Sequence, residues 1–164
     1  RNGLLFFMGV NMGFSGLFSV LNSFPKEKVI VGRERSAGAY GFLSYFASKF
    51  TVELPIKVFP AVIYSHIVYW IVGLNEDRFG EFVGIMIVQI MCCVMLGYAI
   101  SATMPTIEAS NAVGPLCMII AILFGGFYIS IDSLPIVADY VPWISFQRWY
   151  FQAVTINELS LIHI

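Results

Sequence analysis

Charged residues are absent from three long stretches of the chain, Asn2 to Pro25, Phe82 to Ile107 and Ala109 to Ile131, each of them dominated by apolar side chains. Each is long enough to cross a bilayer, which takes about 20 apolar residues at about 1.5 Å rise per residue. A fourth stretch, Leu54 to Leu74, carries a single charge, Lys57. The pattern therefore predicts four spanning helices, over about residues 4–24, 44–74, 82–103 and 106–129.

Pro25 is expected to stop the first helix, since proline removes a backbone donor and clashes with the preceding turn. The segment 25–36 that follows carries Lys26, Lys28, Arg33 and Arg35 against Glu27 and Glu34. Four basic residues in a short connection assign it to the cytoplasm, whereas the next connection, with Arg78 against three acidic residues, belongs outside. From Ala39 to Gly73 the pattern is helical but longer than one span, so its first part should project from the bilayer or lie along the headgroups. Lys49, Glu53 and Lys57 recur at i, i+4 spacing on one face, and Glu53 to Lys57 is the better-oriented pair of the two. Lys49 can snorkel to the headgroups, while Lys57 lies about 10–12 Å deeper and needs a partner or water. Pro55 and Pro60 are expected to bend this helix.

Gly9, Gly13 and Gly16 form a small-residue stripe that allows close helix approach, though apolar helices also hold such pairs by chance. The methionine-rich third span has no polar motif and reads as packing. Pro105 suits a first helical turn and Glu108 the positive end of the fourth helix, which carries an internal Pro115. The segment 132–158 holds caps, prolines and the aromatics Tyr140, Trp143, Trp149 and Tyr150, which fits a re-entrant or interfacial helical segment at the outer surface.

Composition agrees: 59% of residues are hydrophobic, 16% aromatic and 12% charged, against about 25% charged in soluble domains. A net charge of −1 and the lack of a basic, aromatic-interleaved patch give no reason to expect nucleic acid. Cys92, Cys93 and Cys117 lie in apolar runs and read as small buried hydrophobes, without the spacing of a metal site. His66 has no acidic or cysteine neighbour at ligand spacing and reads as a packed histidine. There is no phosphate-binding loop, nucleophile elbow or dinucleotide fingerprint, so no catalytic residue or cofactor is assigned to this chain. The opening at a span and the end soon after an unfinished amphipathic stretch suggest a fragment of a larger protein.

Several motifs, in order, resemble the membrane domain of subfamily G ABC transporters, the white-brown and pleiotropic-drug-resistance type. They are NMGFS from Asn11 to Ser15, FPKEKVIVGRERSAGAY, SYFASKFTVELP, FGGFYIS, and the run from Pro142 through RWYFQA to Asn157-Glu158. The resemblance implies an all-α membrane protein with four transmembrane helices, a cytoplasmic coupling helix within 25–36 and an outer segment, part of a six-helix exporter domain. It implies a nucleotide-binding domain in the same polypeptide holding ATP and Mg, and a second half-transporter as homo- or heterodimer. It implies a hydrophobic or amphipathic substrate and a multi-pass integral membrane location, the plasma membrane first, with an intracellular membrane as the alternative. On this resemblance Asn11, Phe14, Ile119 and Ile122 line the substrate cavity, Phe127 and Tyr128 stand at the outer gate, and Arg33, Glu34 and Arg35 dock the motor. Lys49, Glu53 and Lys57 then form a charge relay where the second helix meets the membrane. The final ELSLIHI departs from the family pattern. A secondary transporter using Glu53 and Lys57, or a non-transporting membrane scaffold, are the rival readings.

Overall fold

The computed structural model describes residues 2–73, 78–127 and 145–159. Among these the chain is all helical: α1 (Asn2–Ser36), α2 (Phe42–Val72), α3 (Phe79–Thr103), α4 (Ile107–Leu123) and α5 (Phe146–Leu159). Three of them, α1, α2 and α3, are long and apolar enough to cross a membrane, and α4 is a shorter apolar helix. At 17 residues, α4 rises about 25 Å, a little under the hydrocarbon thickness of about 30 Å.

Pro25 does not stop the first helix. α1 continues through it to Ser36, 35 residues in all, so the charged connection is the exposed end of the same rod. A mid-helix proline costs about 3 kcal/mol. Two tertiary ties hold the continuation in place: Glu27 pairs with Lys49 of α2, and Lys28 Nζ donates to the carbonyls of Ala102 and Met104 at the end of α3, at 2.7 and 3.4 Å. The rod ends where Gly38 takes φ 75° and its N–H returns to Arg35 O at 3.0 Å, a left-handed turn that a side chain would strain.

α2 contains both Pro55 and Pro60 and closes on Gly73 at φ 66°. It buries only the narrow stripe Ala61, Ser65 and Tyr69, leaving Ile56, Phe59, Ile63, Ile67 and Ile71 exposed. Such a face suits lipid, where nothing is gained by burying an apolar side chain in protein. α4 begins at Ile107, two residues beyond Pro105: Thr106 is the cap, its hydroxyl accepting from Ala109 N at 3.2 Å, and Pro105 lies just outside the helix. Of the outer segment 132–158, the part before residue 145 lies outside the described residues, and the rest contributes α5.

α3 is the central helix, packed against the other four. Its buried stripe, Phe82, Met86, Gln89, Cys93, Gly97 and Ile100, follows helical periodicity. The glycine stripe of α1 meets it: a Cβ on Gly13 would lie 2.9 Å from Cys93 Sγ, and one on Gly16 would lie 2.9 Å from Ile90. Gly9 instead admits the ring of Tyr150, whose nearest carbon would be 2.0 Å from an added Cβ. Tyr150 Oη donates to Leu5 O at 2.9 Å, tying α5 to the start of α1. Cys93 is buried, Cys92 and Cys117 are partly buried, and all three are free thiols. His66 is exposed on one side and sets its ring edge-on to Phe79, at 5.4 Å.

Candidate transport site

α1 and α4 lie against each other. Gly114 of α4 makes room for Leu21, Met118 approaches Gly13, and Asn111 Nδ2 donates to Asn22 Oδ1 at 3.2 Å. The four residues expected to line a cavity come from these two neighbouring helices. Asn11 is exposed, and Ile119 is 48% exposed. Phe14 is half-buried against the buried cluster that contains Leu17, Cys93 and Met118 and stacked on Phe18 at 6.0 Å. Ile122 is half-buried. Asn11 makes no side-chain hydrogen bond among the described residues, so its amide is open to a ligand rather than committed to a neighbouring helix. The surface therefore combines apolar and aromatic contact area with a few amides, the composition that small-molecule sites favour.

Phe127, one of the two expected gate residues, stacks on Phe6 at 4.8 Å with ring planes 16° apart and meets Phe151 edge-on at 5.8 Å. It thus packs α1 against α5. Tyr128 lies outside the described residues.

The charged residues of α2 divide differently from the sequence expectation. Glu53 Oε1 pairs with Lys49 at 2.8 Å, not with Lys57. Lys49 also binds Glu27, so one ammonium serves two carboxylates on two helices. Lys57 turns instead to Ser19 Oγ on α1, which meets its need for a partner in the apolar part of the helix. At the end of α1, Arg33, Glu34 and Arg35 are all exposed. Glu34 accepts from Tyr40 Oη, and that hydrogen bond to a carboxylate pushes the Tyr40 phenol up to about 12. Arg35 sits 5.5 Å above the Phe42 ring. Both contacts fold the linker between α1 and α2 back on the charged end, leaving Arg33 and the guanidinium edge of Arg35 outward.

Glu27, Lys28 and Ser19 carry these ties and were not singled out by sequence reasoning. Their partners lie 22 to 76 residues away, a distance at which local spacing gives no signal. Gln89 is different. It is a polar residue within an apolar span, buried and donating to Gln147 Oε1 of α5 at 2.6 Å; an amide in that setting needs a partner. That lone glutamine was the available clue that the third span is more than packing.

The fold defines a helical domain with several helices apolar enough to cross a membrane. Comparison with known proteins agrees: residues 1–159 match the ABC-2 type transporter family. The chain is 38% identical over 162 residues to ABC transporter G family member 7 of Arabidopsis thaliana, covering 98% of this chain and 22% of that protein. It is 30% identical over 164 residues to the protein white of Drosophila melanogaster, covering 99% of this chain and 23% of the relative. It is 28% identical over 167 residues to the ABC transporter ATP-binding protein/permease wht-1 of Caenorhabditis elegans, covering 99% and 25%. The chain belongs to the ABC-2 type transporter family, with G-family, white-type relatives. It spans about a quarter or less of the length of these relatives.

Proposed function

We propose that this chain is the membrane domain of an ATP-driven half-transporter that exports or flips a hydrophobic or amphipathic molecule, a lipid, sterol or drug, by alternating access. The energy comes from a nucleotide-binding domain carried elsewhere in the same polypeptide, where ATP and Mg bind. One relative's name, ATP-binding protein/permease, joins those two parts in one protein. A second half-transporter completes the cavity, and the assembly sits in the plasma membrane. Asn11 orients the substrate through its amide, Phe14 supplies a ring face, and Ile119 and Ile122 supply apolar contact.

The observation that carries this reading is the continuity of α1. A single helix runs from Asn11 and Phe14 to Arg33, Glu34 and Arg35, so a load applied to the charged end by a moving motor domain is delivered to the cavity wall. The Glu27–Lys49 pair delivers part of it to α2. In the complete protein reconstituted in vesicles, Glu34→Lys is expected to lower transport severalfold while ATP hydrolysis persists, and Phe14→Ala to raise the half-saturating substrate concentration. Transport unchanged in both variants, or driven by an ion gradient with no ATP, overturns the reading.

A further inference from the structure

The last turn of α1 stands clear of the helices around it. Every residue from Gly32 to Ala39 is exposed, and Ser36 is the final residue of the helix. It lies 12 residues past position 24, where the apolar run closes, or about 18 Å along the axis. The chain there reads Gly32-Arg33-Glu34-Arg35-Ser36-Ala37-Gly38-Ala39. Of all the serines and threonines in the sequence, Ser36 is the one with arginine at both the third and the first position before it. Arginine pairs bidentately with carboxylates, so an enzyme whose substrate groove is acidic can select a hydroxyl by guanidinium groups at those offsets. The three small residues that follow leave such a groove unobstructed.

The local structure keeps the hydroxyl within reach. Ser36 Oγ donates backward to Gly32 O at 2.9 Å, an exposed bond. The chain then leaves the helix through Ala37 N to Arg33 O at 3.1 Å, Gly38 N to Arg35 O at 3.0 Å and Ala39 N to Glu34 O at 3.1 Å. These bonds belong to one exposed turn, and helix ends are the part of a fold that opens first. Gly32, a poor helix former with open space beside it, marks where that opening can start. Residues 33–36 can therefore extend into a groove without disturbing the ties that Glu27 and Lys28 make further back. The exposed hydroxyls Ser44, Ser48 and Thr51 differ: they lie inside α2 with no arginine in the turn before them, and Thr51 Oγ1 is turned onto Ala47 O.

We propose that Ser36 is a phosphorylation site for an arginine-directed serine kinase, and that its modification weakens docking of the charged end of α1 on the motor domain. In the transfer, Ser36 Oγ forms a bond to the γ-phosphorus of ATP as the bond from that phosphorus to the bridging oxygen breaks. ADP leaves, and the hydroxyl proton passes to the catalytic carboxylate of the kinase. The basic residues of segment 25–36 favour the cytoplasmic side, where ATP and kinases are found.

Charge decides the consequence. Four basic residues less two acidic ones leave segment 25–36 at +2, and a phosphoserine adds about −1.5 to −2 at neutral pH. Modification thus cancels the charge that the docking end presents. The phosphoryl oxygens also lie one turn from Arg33, and a guanidinium engaged by phosphate is withdrawn from a motor. The Ser36 donor to Gly32 O is lost at the helix end where added negative charge opposes the dipole. The site itself stands on the exposed motif; its effect on transport rests on the reading of Arg33, Glu34 and Arg35 as docking residues.

The test uses the complete protein in lipid nanodiscs, incubated with ATP, Mg and the catalytic domain of calcium/calmodulin-dependent kinase II, which is directed by arginine at the third position before the hydroxyl. Phosphate is mapped by peptide mass spectrometry. Phosphate is expected at Ser36, with labelling abolished in Ser36→Ala and lowered severalfold in Arg33→Gln. In vesicles, ATP-driven transport by the phosphorylated protein should fall severalfold, while Ser36→Ala transports as the parent does and is indifferent to the kinase. No phosphate at Ser36, or labelling unchanged by Arg33→Gln, overturns the site. Phosphate at Ser36 with transport unchanged overturns the effect on docking. A parent with no ATP-driven transport before kinase treatment counts against the transport reading alone, since phosphate is mapped without any transport measurement.

Discussion

At Gly9 the backbone of α1 comes so close to the Tyr150 ring that an added methyl would sit 2.0 Å from a ring carbon. Gly9→Ala must push α5 away or break the Tyr150–Leu5 hydrogen bond, and it is expected to cost about 1–3 kcal/mol, read as a lowered midpoint in thermal unfolding in detergent. Gly84 of α3 has open space around it, so Gly84→Ala should leave stability unchanged or raise it by up to about 1 kcal/mol through helix propensity. The same substitution thus has opposite signs at two glycines. Tyr40 offers a second residue-level check. Its neutral phenol donates to Glu34, so its titration lies near 12 instead of the ordinary 10.0. The contact is complete below the ordinary phenol value and is lost as pH rises through about 12. Glu34→Gln removes the carboxylate, and ultraviolet difference titration of variant against parent should show one tyrosine ionising at lower pH.

Between helices, the shared ammonium of Lys49 decides how α1 and α2 are joined. Its side chain is 15% exposed and lies against two carboxylates, whereas Glu27 is 39% exposed. Lys49→Met leaves Glu27 and Glu53 facing each other with no cation and should destabilise by about 1.5–3 kcal/mol, the range for hydrogen bonds to charged groups. Glu27→Gln leaves Lys49 with Glu53 and should cost under about 1 kcal/mol, being more open to water. Thermal unfolding of the two variants compares them directly, and an equal loss would contradict the geometry. Lys28 makes a different tie, placing a cation on the carbonyl end of α3, where the helix dipole is negative. Lys28→Ala should speed amide hydrogen exchange in the last turn of α3 and leave its middle unchanged. These contacts also account for the continuity of α1 through Pro25: residues downstream of the proline are held from two sides.

For the whole molecule, the contacts fix which helix ends lie together. The end of α1, the start of α2 and the end of α3 meet through Glu27, Lys49 and Lys28. The start of α1, the end of α2 and α5 meet at the opposite pole through Leu5–Tyr150 and Tyr69–Glu158. With the basic connection placed in the cytoplasm, Ser36→Cys and Gly80→Cys, the latter an exposed position with open space around it at the start of α3, should react with a membrane-impermeant maleimide from opposite sides. Labelling of both from one side would contradict a transmembrane arrangement of α2.

How much of this was legible beforehand differs by feature. That the chain is helical and apolar, and where its glycine stripe lies, is set by local composition, because a bilayer demands about 20 apolar residues and rewards small residues wherever helices touch; the extents were not, since α1 runs past Pro25 to Ser36 and the fourth helix, expected to about residue 129, ends at Leu123, leaving three helices of spanning length among the described residues. The family resemblance picked out Asn11, Phe14, Ile119 and Ile122; they lie on two adjoining helices, Asn11 and Ile119 exposed and Phe14 and Ile122 half-buried, and their role as a cavity is a proposal. What local sequence could not decide was every choice between competing partners. Lys49 takes Glu53 while Lys57 takes Ser19, Gln89 finds Gln147, and Phe127 packs between α1 and α5. Those outcomes depend on which helices are neighbours, and a hydrogen bond or ion pair across tens of residues is set by three-dimensional proximity that no spacing along one helix encodes.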